Sequence, residues 1–148
     1  MQRFLYLSFL FFSFALHAQT EAPQPNAEGV YEMVEQMPSF RADCPEGDAY
    51  KACADNAMLE YVYENITYPT EAQKAEEEGM AVVSFIVEKD GTISQPEIYR
   101  NPGYGMGEEV LRIISAMNEK GVRWNPGMQD GEPVRTEFKL PVKFSLGK

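Results

Sequence analysis

The sequence predicts an α+β fold: a two-layer sandwich in which a small three-stranded antiparallel sheet carries helices on one face. Three observations point there. Residues 80–88 and 134–145 alternate apolar and polar side chains with the period of two that a half-buried strand needs. Residues 49–64 and 106–119 repeat apolar side chains at helical spacing, and Lys89-Asp90-Gly91 supplies a tight turn that folds the first strand back on a partner.

The elements follow in order. Arg3 precedes an apolar run at residues 4–16, and Leu16-His17-Ala18 places a small residue before Gln19, so residues 1–18 read as a cleaved signal peptide. The rival is a retained membrane anchor, with Ser13 and His17 four apart on one helix face. Length opposes it, because about 13 apolar residues cover roughly 20 Å of the ~30 Å hydrocarbon core. Residues 19–29 are polar with Pro23 and Pro25 and read as a disordered tether of at most about 40 Å. The domain is expected over 30–148, beginning with a loose alternation at 30–37 that suggests a short strand.

Gly47-Asp48 offers a helix start with Asp48 as N-cap, and Tyr50, Ala54, Ala57, Met58, Tyr61 and Val62 mark the buried stripe of the helix over 49–64. Pro69 ends any continuation and opens a short second helix over 70–77, closed by Gly79. The strand 80–88 buries Ala81, Val83, Phe85 and Val87. Its partner is 92–100, where Pro96 removes a ladder donor and implies a bulge or an edge. The helix over 106–119 carries Met106, Val110, Leu111, Ile113, Ile114 and Met117 on one face, with Gly121 as its stop. Residues 124–131 read as a loop anchored by Trp124. In the last strand Val134, Thr136, Phe138, Leu140, Val142 and Phe144 face one way, while Arg135, Glu137, Lys139, Pro141 and Lys143 face the other.

The formal charge of −10 is unevenly placed, with 20 acidic and 6 basic residues over 19–119 but 3 acidic and 6 basic over 120–148. An acidic body disfavours nucleic acid and anionic membrane, both of which need clustered Lys and Arg. The basic last strand suits an acidic peptide. Cys44 and Cys53 are the two cysteines, and in an exported chain such a pair is expected to close as a disulfide contributing on the order of 2–3 kcal/mol. Its simplest role is to pin the first helix to the preceding loop.

Catalysis has little to stand on. The one histidine, His17, lies in the signal segment, so the mature chain has no imidazole base for a nucleophile and no ligand set for zinc. Glu76-Glu77-Glu78 and Glu108-Glu109 read as solvated helix faces, and Gly103, Gly105 and Gly107 lack the strand-then-helix setting of a phosphate loop. No enzyme, cofactor or metal is expected. The last strand is the better candidate: an edge strand has unpaired N–H and C=O groups that an extended peptide can complete by strand addition.

Tyr68-Pro69, Ala72-Gln73, Glu78-Gly79, the strand from Met80, Asp90-Gly91, Trp124-Asn125-Pro126-Gly127 and the last strand stand in an order and spacing that resembles the C-terminal domain of TonB-type energy transducers. That resemblance implies a periplasmic module that grips TonB-dependent outer-membrane receptors, whose short TonB box pairs with the last strand, in energy-coupled transmembrane transport. It points to Arg135, Thr136, Glu137, Phe138, Lys139 and Lys143 on the strand and, beside it, to Asn65, Thr67 and Tyr68 at and just before the Tyr68-Pro69 landmark. Phe138 is expected to put its side chain in the core and offer its backbone, and Trp124 and Pro126 to serve as core and turn. Family transducers carry a far longer Pro-rich linker, so a stand-alone short form is implied, free in the periplasm if the signal is cleaved and anchored in the inner membrane if it is not. The alternative is a structural module of the envelope that homodimerises or joins another complex through the same edge.

Overall fold

The computed structural model describes residues 22–147, so the expected signal peptide lies outside them. Its elements are β1 (Val30–Tyr31), β2 (Ser39–Phe40), α1 (Tyr50–Asn65), α2 (Thr70–Lys74), β3 (Gly79–Val87), β4 (Ile93–Arg100), α3 (Met106–Ser115), β5 (Trp124–Asn125), β6 (Gly127–Gln129) and β7 (Glu132–Phe144). The α+β class stands. The antiparallel β4-β3-β7 trio forms as expected, with Val87 opposite Thr136 at one end of the β3–β7 ladder and Gly79 opposite Phe144 at the other. The strand count is larger than three, because β1 adds to β7 in parallel, β6 pairs with β7, and β2 and β5 make a separate two-stranded ribbon.

One face of the trio builds the core. Ala81, Val83, Phe85 and Val87 of β3 and Leu140, Val142 and Phe144 of β7 are buried with Met58 and Val62 of α1, Ala72 of α2, and Met106, Val110, Ile113 and Ile114 of α3. Burying each large aliphatic side chain contributes about 1.5–3 kcal/mol, which the short helix α3 alone would not gain in water. Trp124 is completely buried and holds the sheet to the β2–β5 ribbon. Its ring lies 4.9 Å from Phe138, 5.3 Å from Phe85 and 5.6 Å from Phe40.

The other sheet face is covered at one end. Ser84 and Ile86 of β3 are buried beside Val30, which departs from the strict alternation read for this strand. Residues 22–29 are exposed, but Asn26 to Gly29 already make a turn: the Asn26 carboxamide oxygen accepts from Val30 N at 3.0 Å and from Glu28 N at 2.9 Å.

Several boundaries move for local reasons. Ala49, not Asp48, is the N-cap of α1, and it provides no side-chain cap. Cys53 in the first turn is instead tied by a disulfide to Cys44, with Cα atoms 5.8 Å apart, which fixes the helix to the loop before it as expected. The second helix stops at Lys74 because Glu76 turns left-handed at φ 53°, so Gly79 starts the next strand and does not close a helix. α3 ends at Ser115, and looser turns carry the chain to Gly121, whose φ of 75° makes the reversal. The expected strand over 30–37 shrinks to β1, with a single further bridge from Gln36 to Met128. Residues 124–131 are two short strands and not a plain loop.

Two turns behave as the sequence implies. Gly91 at φ 81° closes the β3–β4 hairpin, and a Cβ there would stand 2.2 Å from the Trp124 carbonyl oxygen, so only glycine fits. Pro96 sits on the outer strand β4 beside Gln95 at φ 50°, where the register shifts between the Ser84 and Ile86 partners. That is a bulge on an edge.

Candidate functional site

β7 is paired with β3 along its whole inner flank from Thr136 to Phe144. Its outer flank divides. Val30 stands opposite Arg135 and Tyr31 opposite Thr136, and there β1 stops. Over residues 137–143 no described strand covers that flank.

Which backbone groups point outward follows from the ladder. In an antiparallel pair alternate residues direct N–H and C=O to opposite flanks. The Lys143 carbonyl accepts a hydrogen bond from the Tyr63 hydroxyl at 3.2 Å, and Tyr63 belongs to α1, not to β3. Lys143 therefore faces outward, and with it Pro141, Lys139 and Glu137. Pro141 has no N–H, so its place in the outward set costs no bond to β3. The flank offers the N–H groups of Lys139 and Lys143 and the carbonyls of Glu137, Lys139 and Pro141; the Glu137 N–H is taken by the Tyr31 carbonyl in the parallel bridge to β1, and the Lys143 carbonyl is engaged by Tyr63.

The side chains of the expected site divide along the same line. Arg135 is committed internally: its guanidinium donates to Glu88 at 2.8 and 3.0 Å and to the Glu28 carbonyl at 2.8 Å. The guanidinium beside Glu88 holds that carboxyl below its ordinary value, with Ser94 as a weaker second donor. Thr136 is fully buried between its two partner strands. Gly127 of β6 is pressed onto it so closely that a Cβ would stand 2.1 Å from the Thr136 hydroxyl oxygen.

Further along, Lys139 pairs with Glu137 at 3.2 Å and lies 4.6 Å from the centre of the Tyr99 ring, and the Glu137 carboxylate keeps its ammonium above the usual lysine value. Lys143 is exposed and has no ion-pair partner among the described residues. Phe138 is half-buried against Trp124 and Phe85, so its side chain serves the core as expected.

Asn65, Thr67 and Tyr68 are held elsewhere. Asn65 ends α1 and accepts from Lys120 Nζ at 2.9 Å through its side chain and from Arg112 at 3.0 Å through its carbonyl. Thr67 donates its N–H to Glu109 at 2.7 Å, so both belong to a cluster on α3. Tyr68 donates to the Glu77 carbonyl at 2.6 Å and stacks edge-on against Phe144 at 5.5 Å, which places it at the far end of β7.

Sequence reading missed three contributors to this flank. β1 fills its first two positions, Tyr63 caps its last, and Met33 and Met37 stand exposed beside its middle. Tyr63 alone left a trace, as an aromatic off the apolar stripe of α1. Among the described residues no helix is long and apolar enough to cross a membrane, and no cluster of three or more His, Cys, Asp or Glu is arranged to hold a metal.

The sequence matches the family described as Gram-negative bacterial TonB protein C-terminal over residues 64–146, from the end of α1 to the residues after β7. Among solved structures it is similar to the solution structure of Helicobacter pylori TonB-CTD residues 179–285, at 22% identity over 70% of this chain and 99% of that one, with a TM-score of 0.46. The residues 194–285 form of that domain gives 21% identity over 63% and 94% and a TM-score of 0.45. The Pseudomonas aeruginosa TonB CTD gives 24% over 56% and 80% and a TM-score of 0.42. No curated protein matches the chain. Because the family match spans more than half of the sequence and takes in every element from α2 to β7, this chain belongs to the TonB C-terminal family.

Proposed function

We propose that this domain is a non-catalytic module that binds TonB-dependent outer-membrane receptors by strand addition along residues 137–143 of β7, and so takes part in energy-coupled transport. Family membership implies a periplasmic or envelope location. In this reading residues 1–18 are the signal that delivers the chain there, and 30–148 are the binding domain. The carrying observation is the outer flank of β7, with which no described strand pairs beyond Thr136 while the inner flank is fully laddered to β3. An extended receptor segment would satisfy the outward N–H of Lys139 and the outward carbonyls of Glu137, Lys139 and Pro141, and Lys143 would attract a carboxylate on it. Arg135 and Thr136 would be reached only where β1 lifts away.

The test is an NMR titration of the oxidised protein with TonB-box peptides from receptors of the same organism. Amide shifts centred on residues 137–143, with smaller ones on Val30 and Tyr31, are the expected result. A titration to millimolar peptide that moves none of these amides would rule out receptor binding at this edge and leave the fold untouched.

A further inference from the structure

The bare flank does not border an even surface. At its Glu137–Lys139 end a concavity of about 360 Å³ is lined by Glu32, Met33, Met37, Glu137, Phe138 and Lys139. It shares Met37 and Phe138 with a second, mainly apolar concavity of about 620 Å³ on the helix side, which adds Pro38, Tyr50, Pro126 and Met128. The two form one depression leading from the strand edge down over Phe138.

Its walls are apolar side chains that the fold leaves in water. Six large hydrophobic residues are exposed among those described, and three of them, Met33, Met37 and Tyr63, border this one edge. Met33 and Met37 line the depression and Tyr63 caps Lys143, while Met80 on β3 and Tyr99 on β4 lie across the inner flank of β7. Apolar surface gathered around unpaired backbone marks a contact surface more than a solvated edge, and methionine adapts its shape to what it meets. Charge then orders the flank. On the sheet face away from the helices, Glu28, Glu32, Glu97 and Glu137 surround a cleft of about 220 Å³ at the near end. Lys143, without an ion pair among the described residues, stands at the far end.

We propose, on the reading of the preceding subsection, that the depression over Phe138 is a side-chain subsite for a large apolar residue of the added peptide, and that a carboxylate five positions away on the same peptide meets Lys143. The spacing comes from the strand. Phe138 points to the helix face and Lys143 to the opposite one, and side chains of an added strand alternate in step with them, so an odd separation is required. Five positions match 138 to 143. The continuity of the surface supports this occupant, since β1 already shows this flank accepting an extended segment, with Val30 buried to 4% exposure. Most of the depression is built from residues 32–55, which lie ahead of the family match at 64–146.

The probes are synthetic nine-residue threonine-rich peptides carrying Phe and Glu five positions apart in both orders, with counterparts in which Phe is replaced by Ala or Glu by Lys. Binding is read by NMR titration of the full oxidised chain, with light scattering on the same samples. The Phe peptide in one order should bind roughly ten- to hundredfold more tightly than its Ala counterpart, the range set by burying one large side chain. Met37→Glu, at an exposed position that the fold does not need, should abolish that preference while leaving the amide spectrum dispersed. Lys143→Ala should remove the preference for Glu over Lys. Equal binding of Phe and Ala peptides along residues 137–143 overturns the subsite and leaves strand addition standing. No binding by any peptide overturns both. Peptide-independent growth of the scattering mass with concentration shows that a second copy of the chain occupies the edge, and overturns the peptide subsite too.

Discussion

At the N-terminal end of β7 the outward flank is filled by the chain itself, Val30 on Arg135 and Tyr31 on Thr136, whereas over residues 137–143 the same flank is bare. The filled end is held many times over. β6 packs on Thr136 without room for a Cβ at Gly127, Arg135 is bonded to both Glu88 and the Glu28 carbonyl, and Val30 is buried. The bare end carries the features that keep an unpaired strand from aggregating, namely two lysines, a glutamate and Pro141. One strand thus serves two purposes. Its first residues secure the fold, whereas over its last ones no described strand takes up the outer flank, so the setting of a charged residue on β7 depends on which flank its neighbours cover.

The largest effect that tests this division comes from proline placed in step and out of step with it. Leu140 is buried and its N–H faces β3, so Leu140→Pro deletes a ladder bond and leaves a cavity in the core, with an expected loss of more than about 3 kcal/mol. Lys139→Pro, one residue earlier, removes an outward backbone donor, as Pro141 already does, together with the exposed contacts of its ammonium to Glu137 and Tyr99, and should cost about 1 kcal/mol. Chemical denaturation measures both. If Lys139→Pro proves as damaging as Leu140→Pro, the outward assignment of residues 137, 139, 141 and 143 is wrong.

The filled end makes a second, smaller prediction through pH. Glu88 is held below its ordinary pKa of 4.5, first by Arg135. A carboxyl depressed in the folded state contributes stability that is present above its unfolded pKa and is lost as pH falls through the folded one. The wild-type protein should therefore lose this contribution progressively below about pH 4.5. Arg135→Met should lower stability at pH 7 by about 2 kcal/mol, from the lost charged hydrogen bonds, and flatten the acid limb as well. Parallel acid limbs for the two proteins would show that Arg135 does not set the Glu88 titration. Peptide binding at 137–143 should be far less affected, because the Arg135 guanidinium is engaged by Glu88 and the Glu28 carbonyl.

How much of this was legible beforehand depends on length along the chain. β3, β4, β7, α1 and α3 repeat their apolar pattern often enough to declare their period, and the hairpin turn rests on Gly91, which no other residue could replace. β1, β2, β5 and β6 have two or three residues each, too few to show alternation, and they exist because of partners far away in sequence. Val30 meets Arg135 across more than a hundred residues. For the same reason the last strand could be read as a binding strand, but not which of its residues are free. Its pattern distinguishes two faces, whereas binding depends on two flanks, and only tertiary pairing settles those. Asn65 and Thr67 illustrate the other limit, since their polar groups are bonded to Lys120, Arg112 and Glu109 around α3, residues that nothing local connects to them.

The smallest expected effect on stability sharpens the comparison most. Tyr63 is half exposed, and its hydroxyl gives one hydrogen bond to the Lys143 carbonyl, an outward acceptor that an added strand would need for itself. A bond this exposed competes with water, so Tyr63→Phe should change unfolding stability by no more than about 0.5–1 kcal/mol. Its effect on binding should have the opposite sign. With the hydroxyl gone, the carbonyl is free to accept from an incoming peptide, the ring remains as apolar wall, and affinity for an edge-binding peptide should rise by up to about tenfold, the equivalent of one such bond. Loss of affinity would mean that the hydroxyl contacts the peptide directly. An unchanged affinity would mean that the added strand ends before Lys143, which would confine the usable flank to Glu137, Lys139 and Pro141.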